Sequence, residues 1–300
     1  MIQILRTFVG GFLMGTADLI PGVSGGTIAL VLGIYERLVN SIREGSSALG
    51  SILKADISGF RRHLGGVEWI FLVPLLVGIL TAVITLASFL AHQLEERPTI
   101  LAGVFFGLVL GSVIVAWRLL REPVPVHLLV AAAVAVTLFL ILGLGGDEAA
   151  VAQPSLVAYF GAGALAICAM ILPGISGSLI LLLIGMYAPV LAAVNERDFL
   201  VVGVFVLGAI VGLAFFSQVL HWALRHHHDL ILAALIGLMA GSLRVVWPWP
   251  AGVESAALAA PGDDWLAVTL AMIIGFAAVF LIVRLAPSDA DEISEPLPAG

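Results

Sequence analysis

Ten apolar segments follow one another along the 300 residues, at 2–18, 27–40, 69–91, 99–117, 126–144, 155–172, 178–194, 199–222, 230–247 and 265–285. A helix rises 1.5 Å per residue, so about 20 apolar residues cross the roughly 30 Å of hydrocarbon in a bilayer. Most of these segments have about that length. None alternates apolar and polar residues with period two, as lipid-facing barrel strands do. The expected fold is therefore an all-α polytopic membrane protein. Composition agrees, with 61% hydrophobic and 11% charged residues, where soluble domains carry about 25% charged. The one cysteine, Cys168, lies in an apolar run; it excludes a disulfide framework or a Cys-based metal site and reads as a small buried hydrophobe. The first apolar run carries only Arg6 and no small-residue cleavage site after it, so it reads as a retained helix. Much of the net charge of −7 sits in the tail at 287–300, which is expected to be solvated and disordered.

Two stretches of one design interrupt this pattern: LIPGVSGGT at 19–27 and ILPGISGSL at 171–179. Pro21, Gly22, Ser24, Gly25, Gly33 and Tyr35 fall on Pro173, Gly174, Ser176, Gly177, Gly185 and Tyr187 at a constant offset of 152. Further on, GLVLGSVIVAW at 107–117 matches GLMAGSLRVVW at 237–247 at an offset of 130. The 22-residue difference is absorbed by the basic joint 41–68, the one connector roomy enough for a small amphipathic helix. The chain thus reads as a duplication, with repeat one at 1–144, including the insertion 41–68, and repeat two at 145–286.

The distribution of basic residues sets an orientation. With the N-terminus in the cytoplasm, and segments 2–18 and 27–40 paired so that they return to the same side, 10 of the 13 basic residues face the cytoplasm. Arg97, Arg197 and Arg244 then lie toward the outside, with Asp147, Glu148, Asp263 and Asp264. Both termini become cytoplasmic. The first motif pair then enters from the cytoplasm and the second, 155–194, from outside, so the repeats have inverted topology, each with a Pro-Gly-x-Ser-Gly re-entrant or interrupted helical hairpin followed by transmembrane helices.

Inverted repeats with broken helices point to a secondary transporter whose site lies near the membrane midplane between the halves. Pro21 and Pro173 are the helix-breaking residues. Gly22, Gly25, Gly26, Gly174 and Gly177 let the backbone turn amides inward, and Ser24, Thr27, Ser176 and Ser178 add hydroxyls. The next helix would begin with unpaired N–H groups and the positive end of its dipole, an anion site. Full spans joined by a tight surface turn are the alternative geometry.

Residues 17–38, ADLIPGVSGGTIALVLGIYERL, with 172–187, LPGISGSLILLLIGMY, resemble the polyprenyl-phosphate (undecaprenyl phosphate) transporter family, PopT, of bacteria and archaea. The resemblance extends from about Phe8 to Arg284. It implies a transporter, or flippase, that returns undecaprenyl phosphate from the outer to the cytoplasmic leaflet of the cytoplasmic (inner) membrane for cell-envelope glycan synthesis, and a fold of inverted repeats with re-entrant hairpins. The residues by themselves specify only an anion at a midplane site. The implied partners are the polyprenyl phosphate lipid and the bilayer. No cofactor, metal or nucleic acid is expected, since Walker, Rossmann and nucleic-acid signatures are missing; H+ or Na+ is the candidate coupling ion.

Individual residues carry competing readings. Asp18, whose counterpart at offset 152 is Met170, is an ion-coupling site or a brace for the loop amides. Ser24, Thr27, Ser176 and Ser178 contact phosphate or cap helices. Arg244 receives the headgroup bidentately or snorkels to the outer interface. Glu36 and Arg37 read as interfacial partners, and Tyr35 and Tyr187 as interfacial anchors. The run His226 to Asp229 reads as a solvated turn rather than a metal site. The glycines Gly103, Gly107, Gly111, Gly237 and Gly241 suit close helix contacts, static or sliding. An anion channel or ion transporter is the main alternative function. A polyprenyl diphosphate phosphatase would need an arginine in the loop, and Gly25, Gly26, Gly177 and Ser178 stand there instead, so no enzyme is expected.

Overall fold

The computed structural model describes residues 2–20, 23–144, 154–252 and 257–285. Pro21 and Gly22, the acidic joint around Asp147 and the tail lie outside them. Among the described residues every regular element is helical. The elements are α1 Ile2–Asp18, α2 Gly25–Val31, α3 Tyr35–Leu53, α4 Ile57–Gly66, α5 Trp69–Glu96, α6 Pro98–Trp117, α7 Pro125–Leu144, α8 Leu156–Ile171, α9 Gly177–Leu183, α10 Tyr187–Asn195, α11 Phe199–His226, α12 His228–Ser242 and α13 Trp265–Leu285. Five of them, α5, α6, α7, α11 and α13, are long and apolar enough to cross a membrane, so the chain is a multi-pass membrane protein.

Three apolar segments differ from the sequence expectation. The run 27–40 is not one helix: α2 has seven residues, about 10 Å, and ends at Gly33 with φ +71°. There the Ile34 amide reaches the Ala29 carbonyl at 3.0 Å and the Gly33 amide reaches Leu30 at 3.0 Å, the paired bonds of a Schellman cap. The run 178–194 breaks the same way at Gly185, φ +69°, with Met186 to Leu181 at 2.8 Å and Gly185 to Leu182 at 2.9 Å. The two pieces of that run, α9 and α10, meet at 112°. Apolarity runs on through both glycines, but a left-handed residue cannot continue a helix. The third difference lies in 230–247, where α12 stops at Ser242 and a run of turns follows. The basic joint 41–68 holds the end of α3 and all of α4.

Helix packing repeats along the chain. Helix α1 packs on α5 as α8 packs on α11. A Cβ at Gly11 would collide with the Leu75 carbonyl and one at Gly78 with that of Phe8; the same holds for Gly163 with Phe205 and Gly208 with Phe160. These four pairs correspond at the offsets of 152 and 130, and at each the backbones touch because no side chain intervenes. The remaining long helices cross over: α13 packs on α6, and α7 packs on α12.

The largest core surrounds α2, while α9 packs into two smaller clusters. Ile20, Val23, Ala29, Leu30 and Tyr35 pack with Ile171, Leu235, Ile236 and Met239. Every residue of α2 is buried, so the first Pro-Gly loop ends in the interior of the molecule.

Candidate functional site

The two Pro-Gly loops meet. The Ser24 hydroxyl lies 3.2 Å from the Leu172 carbonyl and 3.4 Å from that of Met170, so it donates into the opposite loop. Its oxygen also accepts the Gly26 amide at 3.1 Å, capping α2. Thr27 Oγ1 accepts the Gly174 amide at 3.0 Å. Tyr35 donates from its hydroxyl to the Ile171 carbonyl at 3.2 Å. Gly26 is required here, because a Cβ would stand 2.8 Å from the Ile171 carbonyl oxygen. Gly174 is required twice over: its φ is +84°, and a Cβ would stand 2.6 Å from Met239 Cα. Ser24, Thr27 and Tyr35 are all buried, and their hydroxyls tie loop to loop across about 140 residues of chain. Tyr35 was expected at the interface. Its burial and cross-loop bond correct that reading; the partner lies 136 positions away, and no local signal announces it.

The loops differ in what their amides hold. At the start of α2 the Gly25 amide donates to Asp18 Oδ1 at 2.6 Å, Gly26 to Ser24 Oγ and Thr27 to the Ser24 carbonyl at 2.9 Å. The position where an external anion would sit is filled by the chain's own carboxylate. A Cβ at Gly25 would come 2.5 Å from Asp18 Oδ2, so only glycine admits this contact. At the start of α9 no hydrogen-bond partner reaches the amides of Gly177, Ser178 or Leu179 among the described residues. The Asp18 counterpart, Met170, has no charge to offer. Ser176 and Ser178 are half-buried and hydrogen-bonded to each other at 2.7 Å. Two hydroxyls sharing one bond keep a donor for something else.

Arg244 lies beyond the end of α12 and lines a cavity of about 450 Å³ with Phe106, Phe139, Trp247 and Leu258. Its guanidinium stands 4.7 Å over the Phe139 ring, a cation–π contact, and would be 2.7 Å from a Cβ at Gly143. A cation in a mostly apolar, aromatic cavity suits a ligand with a charged head and a hydrocarbon body. Ile175 and Val245, next in sequence to Ser176 and Arg244, share one apolar cluster with Leu138 and Leu142. Phe139 was not singled out by sequence, since an apolar residue in an apolar helix carries no mark.

Other polar residues gather elsewhere. Arg37 pairs with Glu68 at 2.7 Å. His228 bridges Asp229 at 2.7 Å and Glu36 at 2.9 Å, and Asp229 accepts the Arg121 and Glu122 amides. Among the described residues no group of three or more His, Cys, Asp or Glu side chains is arranged to hold a metal ion.

Comparison with known proteins adds a lineage to this geometry. A family model described as undecaprenyl phosphate translocase-like matches residues 14–260. A polyprenyl-phosphate transporter of Vibrio cholerae serotype O1 is 43% identical over 254 residues, 82% of this chain and 78% of the relative. A polyprenyl-phosphate transporter of Staphylococcus aureus is 31% identical over 294 residues, 92% of this chain and 94% of the relative. No solved structure matches the chain.

Proposed function

This chain belongs to the undecaprenyl phosphate translocase-like family, and from that premise we propose that it carries polyprenyl monophosphate across the cytoplasmic membrane, from the outer to the inner leaflet. The lipid would return for cell-envelope glycan synthesis, and the chain acts as a carrier rather than an enzyme. Its two halves, 1–144 and 145–286, are inverted repeats with re-entrant hairpins, and both termini are cytoplasmic. The recurrence of the glycine crossings at the sequence offsets supports the repeat, and the shortness of α2 and α9 supports the hairpins.

The physical requirement is narrow. A phosphate monoester carries about −1.5 to −2 charges at neutral pH, which hydrocarbon will not accept, while the polyprenyl tail stays in lipid throughout. The protein needs to supply only a polar slot open to the side. In this reading Arg244 receives the headgroup from its aromatic cavity, and Gly174, Ser176, Gly177 and Ser178 supply amides and hydroxyls at the second loop. Ser24, Gly25, Gly26 and Thr27 form the partner loop, with Pro173 shaping the turn of the second.

The observation that carries the proposal is the asymmetry between the loops. Asp18 holds the Gly25 amide, while the matching amides of the second loop have no such acceptor. Asp18 acts as a stand-in anion: phosphate advancing onto the first loop must displace it. A proton or sodium ion on the carboxylate would weaken its hold, which couples substrate movement to an ion gradient.

The test is reconstitution into liposomes with polyprenyl phosphate loaded in one leaflet and its appearance in the other followed under imposed proton or sodium gradients. Exchange that is accelerated by wild type and lost in Arg244→Gln supports the reading. Chloride flux or phosphate release without lipid exchange refutes it, in favour of a channel or a phosphatase.

A further inference from the structure

Helix α3 is not one of the five spans, and where it packs on the spanning helix α11 the contact is polar. From α3 come Asn40, Arg43, Ser46 and Ser47, spaced along one helical face. From α11 come Ser217, Gln218 and His221. Arg43 Nε donates to Gln218 Oε1 at 3.3 Å, and its Nη1 lies 3.2 Å from Asn40 Oδ1 and 3.4 Å from His221 Nε2. Gln218 Nε2 donates to Ser47 Oγ at 2.8 Å, and the Ser46 and Ser217 hydroxyls face each other at 3.2 Å.

The Ser46 and Ser217 hydroxyls donate to the Arg43 and Ala214 carbonyls, but one edge of the guanidinium stays open. The nearby carboxylate, Glu44, stands 3.1 Å from Arg43 Nη1 but also holds His63 at 2.8 Å. Arg43 is 28% exposed, and among the described residues no hydrogen bond reaches its Nη2 group. A Cβ at Gly45, beside this face, would meet nothing within 4 Å. Next to Gln218 on α11, Phe215, Val219 and Trp222 form an apolar stripe at i, i+4 and i+7, exposed by 72%, 42% and 55%. The seam therefore sets the open Nη2 edge of a guanidinium beside a strip of bare hydrocarbon-compatible surface. That is the chemistry of an amphiphile with a small anionic head.

We infer that the α3–α11 seam is a second headgroup site, for a phosphate monoester on an apolar tail, with Arg43 as its cation. It rests on the lipid-phosphate reading and extends it. The seam flanks the end of α11 that leads into α12, whereas Arg244 lies past the other end of α12, a helix of 15 residues or about 22 Å. The two cations thus mark the two ends of a headgroup path. Neither has a cationic counterpart in the other half, since Asn195 and Ile114 occupy the corresponding positions.

The experiment uses the full chain in proteoliposomes of neutral lipid and a photoreactive farnesyl phosphate, with crosslinked peptides mapped by mass spectrometry. Crosslinks are expected within 40–48 and 215–222 as well as around 243–260. Arg43→Gln should reduce those in the seam about tenfold, the loss expected for one charge-assisted hydrogen-bond partner, while those near Arg244 persist. Arg43→Lys, which keeps the charge, should retain most of the seam signal and serves as the folding control. Unlabelled farnesyl phosphate should compete better than farnesol or inorganic phosphate. Competition by inorganic phosphate as strong, mole for mole, would make the ligand free phosphate and overturn the lipid site. Crosslinks confined to 243–260, or a seam signal indifferent to Arg43→Gln, would overturn the inference and leave the transport reading standing. No crosslinks at either place would overturn both.

Discussion

The Asp18 carboxylate accepts the Gly25 amide at 2.6 Å, closing from within the chain the anion position that the Pro-Gly loop would otherwise present. A carboxylate at a helix start is stabilising there, and under the proposed function it would also compete with an approaching phosphate. Asp18→Asn keeps an acceptor in reach but removes the charge. The expected outcome is a folded protein that binds lipid phosphate at least as well as wild type, with an altered response of transport to proton or sodium gradients. An ion response identical to wild type in reconstituted vesicles would rule out a coupling role and leave Asp18 as a brace.

Thr27 ties the loops through the Gly174 amide at 3.0 Å. Thr27→Val keeps the shape and removes the acceptor, leaving a buried amide unpaired at a cost of about 1–3 kcal/mol. Thr27→Ser should cost less than half of that. Thermal unfolding in one detergent compares the two; equal midpoints would show that the bond contributes nothing.

Ser24 and Ser176 occupy matching positions but different surroundings. Ser24 is 2% exposed and caps α2 while donating to the second loop, so Ser24→Ala should destabilise by about 1 kcal/mol or more. Ser176→Ala with Ser178→Ala removes half-buried hydroxyls bonded only to each other among the described residues. That double variant should unfold like wild type and bind farnesyl phosphate roughly tenfold more weakly. Binding at wild-type strength would exclude these hydroxyls from the substrate site.

The helix crossings can be tested by adding one carbon. Gly163→Ala and Gly208→Ala place a methyl against the Phe205 and Phe160 carbonyls, and prying the helices apart should cost about 1–3 kcal/mol each. Gly161→Ala and Gly203→Ala meet nothing within 4 Å and should be neutral or stabilising, by up to about 1 kcal/mol from helix propensity. Unfolding midpoints of the four variants decide the matter, and indistinguishable values would dismiss the close approach.

Asp264, just before α13, accepts the Thr99 hydroxyl at 2.6 Å and the Trp249 indole N–H at 2.9 Å. The Thr99 bond, then the Trp249 bond, hold its carboxyl below the ordinary range. A depressed folded pKa contributes stability that is complete above the unfolded value, about pH 4, and is lost as pH falls through the folded one. Asp264→Asn should therefore lower the melting temperature at neutral pH, and the gap to wild type should shrink below about pH 4. A gap independent of pH would show that the ion's charge is irrelevant to the tie.

What the sequence by itself determined is local. Apolar runs specify helices and Pro173 ends one, because period and missing amides act within one or two turns; the left-handed breaks at Gly33 and Gly185 are equally local, but the apolar runs 27–40 and 178–194 mask them. The internal offsets of 152 and 130, read from the Pro-Gly loops and the 107–117 stretch, hold again at the Gly11, Gly78, Gly163 and Gly208 crossings. Tertiary structure alone decided what those elements do. Ser24 and Thr27 read from sequence as phosphate ligands or helix caps; Ser24 does cap α2, and that both hydroxyls also bond a loop about 150 residues away is visible only in the fold. Tyr35 looked like an anchor and is buried against Ile171, while α7 and α13 exchange partners between halves. Each outcome depends on which hydrogen-bonding group packing brings near an otherwise unsatisfied one. In an apolar interior a polar group without a partner is costly, and which partner it finds is set by the whole fold rather than by neighbours in the chain.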